Sequence, residues 1–330
     1  MQKQGPGKIG YVDWTWNPVT GCYYGCSYCF AHFIAQRFQR HHTGPAQFAV
    51  GRDLAVATTR IPFPAGFVPT FYPYRLDEPT RVKRPSRILV CDMADLFGDW
   101  VPEQWVREVL RVIRQTHWHT FLCLTKNPVR YAKFDWPENC WLGTTVTKQA
   151  DVWRIPALLW AQATLHWVSV EPMLGPVDLL RVPVNYGEGL FGDPFTPHHV
   201  PHSGRDRVYN TLGLVVCGGQ TGPASPPLNP DWVRGLQQQC EAAKVSFYLK
   251  SWGEWAPWSG LEDDDCPCGR HHDIGEQCDK VHFWRYTGGG PAGYEPRGVS
   301  LSVRVGRKAA GRLLDGKECT QLPSPRGRNA

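Results

Sequence analysis

Three thiols stand close together near the start of the chain. The stretch GCYYGCSYCF, residues 21–30, sets Cys22, Cys26 and Cys29 within eight residues, with aromatic side chains between them. Soft ligands at this density either clasp a metal or are an accident of composition, and chance spacing of this kind is expected in about one or two per hundred similar chains. His32 would complete a Cys3His set for structural zinc. All four ligands would then come from eleven consecutive residues, which is cramped around a tetrahedral ion, because such sites usually draw on two separated knuckles. A cubane iron–sulfur cluster is larger. One loop can wrap three of its corners and leave the fourth iron open to a ligand other than protein.

A second group, Cys266, Cys268, His271 and Cys278, carries ligands enough for a Cys3His zinc site. It lies in a stretch with little apolar content, where a Zn2+ staple makes physical sense. An unliganded loop and an auxiliary iron–sulfur cluster are the alternatives. Cys91, Cys123 and Cys217 fall in the apolar runs RILVCD, FLCLT and LVVCGG and read as plain strand residues.

The elements that must position these groups are legible as apolar runs bounded by turn residues: 87–91, 120–125, 140–146, 165–170, 212–219 and 245–250. Their nearly continuous apolar character is that of buried parallel strands. Helical periodicity falls between them, at 30–41, 102–117, 148–163 and 230–244, with Asp231 beside Pro230 at a helix start. Alternating strands and helices imply a parallel sheet, and this number of units predicts a partial or full (β/α) barrel, with an open doubly wound sheet as the alternative.

The expected division is a core over 1–255 with loop-rich insertions at 42–83 and 185–210, a Cys/His-rich insertion at 256–300, a basic C-terminal helix at 301–322 carrying Arg304, Arg307, Lys308 and Arg312, and a disordered tail at 323–330. With 42% hydrophobic residues among 330 the chain can bury a large core, and its net charge of +6 permits an anionic partner without requiring one. The opening MQKQGPGKIGYVDW lacks the apolar segment of a secretory signal, and no window of about 18 apolar residues occurs, so a cytoplasmic protein with no membrane partner is expected. In a reducing compartment its twelve cysteines are metal ligands or small core residues rather than disulfides.

The spacing C-x-x-x-C-x-x-C, with Tyr28 before the last cysteine, resembles the signature of the radical S-adenosylmethionine (SAM) superfamily. Further blocks, among them WTWNPVTGC (14–22), RILVCDMADLFGDWVP (87–102), LCLTKNPVRY (122–131), SVEPMLGPVDL (169–179), VVCGGQTGP (215–223) and VGRKAAGRLLDG (305–316), resemble a phage-associated three-Cys-motif family, itself distantly similar to spore photoproduct lyase. The resemblance implies a barrel of the radical SAM type, a 4Fe–4S cluster on Cys22, Cys26 and Cys29, and SAM on the open iron. It also implies an electron donor such as flavodoxin or ferredoxin, and cleavage of SAM to a 5′-deoxyadenosyl radical that attacks a substrate.

In a barrel the strand ends face the active site. Asp92 and Asp95 follow the strand at 87–91, where many superfamily members carry Gly-Gly-Glu for the amino group of SAM; this chain lacks that motif, and capping of the next segment is the plain alternative. Lys126 could meet the SAM carboxylate or a substrate phosphate, or stand solvated in its loop. Thr144 and Thr145 are hydrogen-bond candidates for SAM. Glu171 is a catalytic candidate able to bind SAM ribose or substrate. Gly218 and Gly219 allow close approach of a ligand, and Gln220 stands where the family commonly has Glu. Lys250, the second catalytic candidate, precedes Trp252, Trp255 and Trp258, a combination suited to a base and its phosphate, although Trp more commonly packs in a core. The expected substrate is DNA, RNA or a nucleotide, acted on in modification or repair. The competing reading is a non-enzymatic, zinc-stabilised nucleic-acid-binding protein.

Overall fold

The computed structural model describes residues 1–5, 8–39, 54–58, 60–184, 190–192, 194–195, 199–202, 205–208, 211–258, 281–285 and 299–324. Its centre is one eight-stranded sheet, curled into a half-barrel. In chain order the strands are β1 (Gln2–Lys3), β2 (Trp14–Trp16), β3 (Arg87–Val90), β4 (Thr120–Thr125), β5 (Cys140–Thr145), β6 (Leu165–Val170), β7 (Leu212–Gly218) and β8 (Ser246–Ser251). They lie side by side in that same order. Strands β2 to β8 are parallel and β1 pairs antiparallel with β2. The helices are α1 (Phe30–Gln39), α2 (Glu103–Gln115), α3 (Arg154–Trp160) and α4 (Pro230–Ala242).

Sequential order decides between the two architectures left open by the pattern of elements. A doubly wound sheet reverses its strand order and carries helices on both faces. Here one large core cluster joins Ile88, Phe121, Leu142, Val168, Val215 and Leu249 to buried residues of α2, α3 and α4. The alternate strand positions, Leu89, Leu122, Trp141, Trp167, Val216 and Tyr248, form a second cluster that includes no residue of those helices. The helices therefore cover one face, and the other is the inside of the half-barrel. Continuous apolar runs follow directly, since both faces of each strand are buried.

The expected strands match their observed spans to within a residue or so at either end. Helix α4 starts where Asn229, one residue before Pro230, accepts the Asp231 N–H at 2.9 Å. The segment at 148–163 yields only a 3-10 turn at Gln149–Asp151 and the short α3. The far edge is closed against stray pairing: Leu249 N–H donates to Cys319 O and Gln321 N–H to Phe247 O.

One expected element is corrected. The basic C-terminal helix over 301–322 is instead the strand Val299–Arg304, a single turn Arg307–Ala310, and a hairpin of Leu313–Leu314 with Lys317–Glu318. Two-residue alternation in LSVRV puts Leu301 and Val303 in a small cluster with Val281, and Gly306 and Gly311, both at positive φ, bracket the turn. Its cations serve contacts: Arg304 lies over the Trp255 ring and Arg312 donates to Tyr248 Oη and Glu318.

Of the 42–83 insertion, the described part holds Thr70–Phe71, which pairs on one side with Ala55–Val56 and on the other with Val19–Thr20. Within 185–210 the described residues form strand pairs, one of them His199–His202 with Arg205–Val208. Cys266, Cys268, His271 and Cys278 lie outside the described residues, as does the tail from 325 on. No helix among the described residues is long and apolar enough to cross a membrane.

Candidate active site at the mouth of the half-barrel

The three-cysteine loop sits at the carboxyl edge of the sheet, fixed by backbone bonds. Gly21 N–H donates to Met93 O and Cys22 N–H to Phe67 O. At Gly21 φ is +90°, and a Cβ there would stand 2.4 Å from Val68 O, so only glycine lets the chain turn into the loop against that backbone. Cys29 N–H donates to Cys26 O, and α1 begins directly after.

Cys22, Cys26 and Cys29 are each partly exposed, whereas Cys91, Cys123, Cys140, Cys217 and Cys240 are buried. Burial pushes the Cys22 thiol up to about 12, with Asp95 and the other two thiols adding to the shift. Burial also raises Cys29, against the N–H groups of His32 and Ala31 and the charge of Lys126, which lower it. Thiols placed together on one loop form a donor set that suits a positively charged group.

Among the described residues no group of three or more His, Cys, Asp or Glu is arranged to hold a metal ion. His32 is engaged in its own helix, with Nε2 2.8 Å from Gln36 Nε2 and its ring against Phe67. Three partly exposed thiols on one loop are the donor type that an iron–sulfur cluster takes. Lys126 reaches this loop: its Nζ lies 5.8 Å from the Tyr28 ring centroid.

Inside the half-barrel a second constellation forms from residues far apart in sequence. Lys250 Nζ lies 2.8 Å from Glu171 Oε1. Glu171 Oε2 accepts from Tyr11 Oη at 3.3 Å and from Ser169 Oγ at 3.2 Å. Asp92 Oδ1 accepts from Asn17 Nδ2 at 2.6 Å, with Thr15 as a further donor and Lys250 within electrostatic reach. Asn17 Oδ1 in turn takes the Met93 N–H at 3.0 Å. Burial of the phenol and the adjoining Glu171 carboxylate push Tyr11 well above its ordinary value, so it stays protonated.

Burial also raises Asp92 above the usual carboxylate range, against the Asn17, Thr15 and Lys250 contributions. Between its ordinary and its raised pKa, the folded chain holds a proton that the unfolded chain has released. Stability from this group is therefore present at low pH and falls as pH rises through that window. Asp92→Asn should remove that part of the decline and melt higher than wild type above the window. Buried Asp95 shifts in the same direction and persists in both proteins, so the difference between their melting-temperature profiles is the readout. Parallel profiles would refute the assignment.

Several expected site residues have other duties. Asp95 accepts from Phe97 N–H and Thr125 Oγ1 through Oδ1 and from Lys126 N–H through Oδ2, so its carboxylate is taken up clamping the loops after β3 and β4. Thr144 donates to Thr125 O, on the strand face opposite to the inward Trp141, Gly143 and Thr145. A Cβ on Gly219 would stand 2.2 Å from Trp252 O, and one on Gly253 the same distance from Gln220 O; glycine here lets two chain segments touch. Gly218 does border the constellation, 3.1 Å from Glu171 Oε1 by the same measure. Trp252 Nε1 donates to Leu313 O and Trp255 Nε1 to Ser225 O, which makes both structural.

Tyr11, Thr15, Asn17 and Ser169 were not expected. Thr15 and Asn17 belong to the end of β2 in WTWNP, where the strand-end argument applied to later strands would have found them. Tyr11 carries no local signal: its position against Trp167 and Tyr248, at 6.0 and 5.7 Å, is purely tertiary.

No curated protein and no solved structure matches the chain. A family model matches residues 6–323, and the chain belongs to that family, described as "Protein of unknown function (DUF5131)".

Proposed function

We propose that the chain is a radical SAM enzyme acting on a nucleic acid or nucleotide. The observation that carries this reading is the three partly exposed thiols of one loop, beside a half-barrel mouth that holds Asp92, Glu171 and Lys250. Cys22, Cys26 and Cys29 would hold a 4Fe–4S cluster whose open iron takes SAM. When bound, that pair supplies reductive cleavage to methionine and a 5′-deoxyadenosyl radical.

The chain's own part is to bind, orient and keep out water. Asp92, aligned by Asn17 and Thr15, is the acceptor for an ammonium group at the mouth. Glu171 holds its Oε2 toward the Tyr11 and Ser169 hydroxyls, and its Oε1 on the Lys250 ammonium. A substrate phosphate would compete with Glu171 for Lys250 Nζ, and the released Oε1 would then accept a substrate hydroxyl or amine proton. Beneath them Leu122, Trp141, Trp167, Leu214 and Val216 fill the inner face and are fully buried, a dry floor that keeps water and stray hydrogen donors away from a reactive intermediate.

Anaerobic purification tests the reading. About four irons per chain and cleavage of SAM by the dithionite-reduced protein are the expected results. Transfer of deuterium from labelled nucleosides or oligonucleotides into 5′-deoxyadenosine would then identify the substrate. A colourless protein holding zinc alone would overturn it in favour of the zinc-stabilised binding protein.

A further inference from the structure

Large exposed hydrophobic side chains are unevenly placed. Among the described residues the exposed aromatics, Tyr23 (43% exposed), Tyr24 (37%), Phe30 (46%), Phe33 (55%), Phe38 (40%) and Trp153 (52%), all lie on the cysteine loop, on α1 directly after it, or in the segment that follows β5, whereas exposed aliphatics such as Val129 and Leu313 lie elsewhere. Isolated exposed apolar residues need no account, but a group gathered at one rim does. Ring contacts tie part of the group together. Tyr24 packs edge-on to Trp100 at 4.8 Å, Tyr23 does the same at 5.6 Å, and Tyr24 lies within electrostatic reach of both Cys22 and Arg154. Arg154 in turn lies 5.5 Å from the Trp153 ring centroid.

Cations interleave with these rings. Lys126 stands over Tyr28, and Lys148 is exposed at the end of β5. The nearby acids are engaged: Asp151 with Arg154 and Thr147, and Asp99 with Asn127. The whole chain carries +6. Aromatic rings with ammonium groups among them match a ligand of alternating planar rings and phosphates. A duplex hides its base faces inside its own stack, so these rings could stack only on bases already unpaired.

From this rim we infer a docking surface for single-stranded nucleic acid, with bases stacked on Tyr23, Tyr24, Phe33 and Trp153 and phosphates on Lys126 and Lys148, leading a strand to the half-barrel mouth. It deepens the proposed function, names its substrate class as single-stranded, and rests on that reading. It also moves the aromatic platform away from Lys250, whose neighbouring tryptophans Trp252 and Trp255 are bonded into the core.

The test is fluorescence anisotropy of the full chain with labelled oligothymidylate, oligouridylate and a hairpin duplex of equal length, about a dozen nucleotides each. Either single strand should bind at least about tenfold more tightly than the duplex, and comparison of the two assigns DNA or RNA. Phe33→Ala and Trp153→Ala should each weaken strand binding about fivefold to a hundredfold, the loss of one base stack. Lys148→Ala should reduce the salt slope by about 0.7. Leu313→Ala, equally exposed beside β8 at the opposite sheet edge, should leave binding unchanged. All these residues are exposed, and matching melting temperatures verify folding.

Duplex preference, or Ala variants that bind strands like wild type, would overturn the inference. So would absence of strand binding together with self-association that Phe33→Ala abolishes, which would make the rim a protein interface. SAM cleavage without oligonucleotide is measured in parallel. Strand binding without SAM cleavage would remove the radical chemistry and keep the surface; SAM cleavage without strand binding would do the reverse.

Discussion

Cys26→Ala, purified anaerobically, is expected to lose its iron and its SAM cleavage to background while remaining folded. The effect on chemistry is complete because a loop with three ligands has none in reserve: with two thiolates left, two corners of a cubane are uncovered. The effect on the fold is small because Cys26 is partly exposed and belongs to none of the core clusters. Metal-free wild type and metal-free Cys26→Ala should therefore melt within about 2 °C of each other. The comparison must be between metal-free proteins, since any ligand bound only by the folded state stabilises it by mass action.

Cys240→Ala supplies the converse. That thiol, on the buried face of α4, lies in the main core, so its removal should cost about 1 kcal/mol and leave iron content unchanged. If Cys26→Ala keeps its iron, or unfolds once metal-free, the loop is structural and the enzymatic reading falls.

The second large effect concerns the ion pair at the mouth. Lys250→Met should destabilise the fold by about 2–3 kcal/mol, below the 3–5 kcal/mol typical of a fully buried pair, because the lysine keeps part of its side chain in solvent. The cost arises from Glu171 left charged among Tyr11, Ser169 and Gly218 without its counter-ion. Glu171→Gln should cost only about 1 kcal/mol, since the amide oxygen still accepts from both hydroxyls and Lys250 still feels Asp92. The double variant should be more stable than the sum of the two losses by about 1–2 kcal/mol. Urea unfolding of the four proteins gives this coupling directly, and additive losses would show that the pair is solvent-screened. In the reaction both single variants should lose substrate turnover, while SAM cleavage without substrate continues.

Much of this protein could be read without coordinates. The apolar runs at 120–125 and 165–170 match β4 and β6 because a strand buried on both faces leaves an unbroken local record. The position of the cysteine loop directly before α1 was equally legible, since its residues are neighbours in sequence. The C-terminal basic stretch misled because cations at helix-like spacing outweighed the two-residue alternation of LSVRV and the glycines at 306 and 311. Asp95 and Gly219 stood at strand ends as expected of site residues, but strand-end position does not say whether a carboxylate turns to the mouth or clamps its own loop, nor whether a glycine admits a ligand or a neighbouring chain segment.

Alternation of strands and helices determined a parallel sheet. The sequence of spatial neighbours, which makes it a half-barrel with helices on one face, is a property of the tertiary structure, because crossover connections of the same length serve either winding. The gathering of Tyr11, Asp92, Glu171 and Lys250 at one end of the sheet has the same origin. These residues are up to 239 positions apart in the chain, and no local rule of spacing relates them. Curling the sheet turns the inward position on each strand toward one shared mouth, and it is that curvature which makes one site of them.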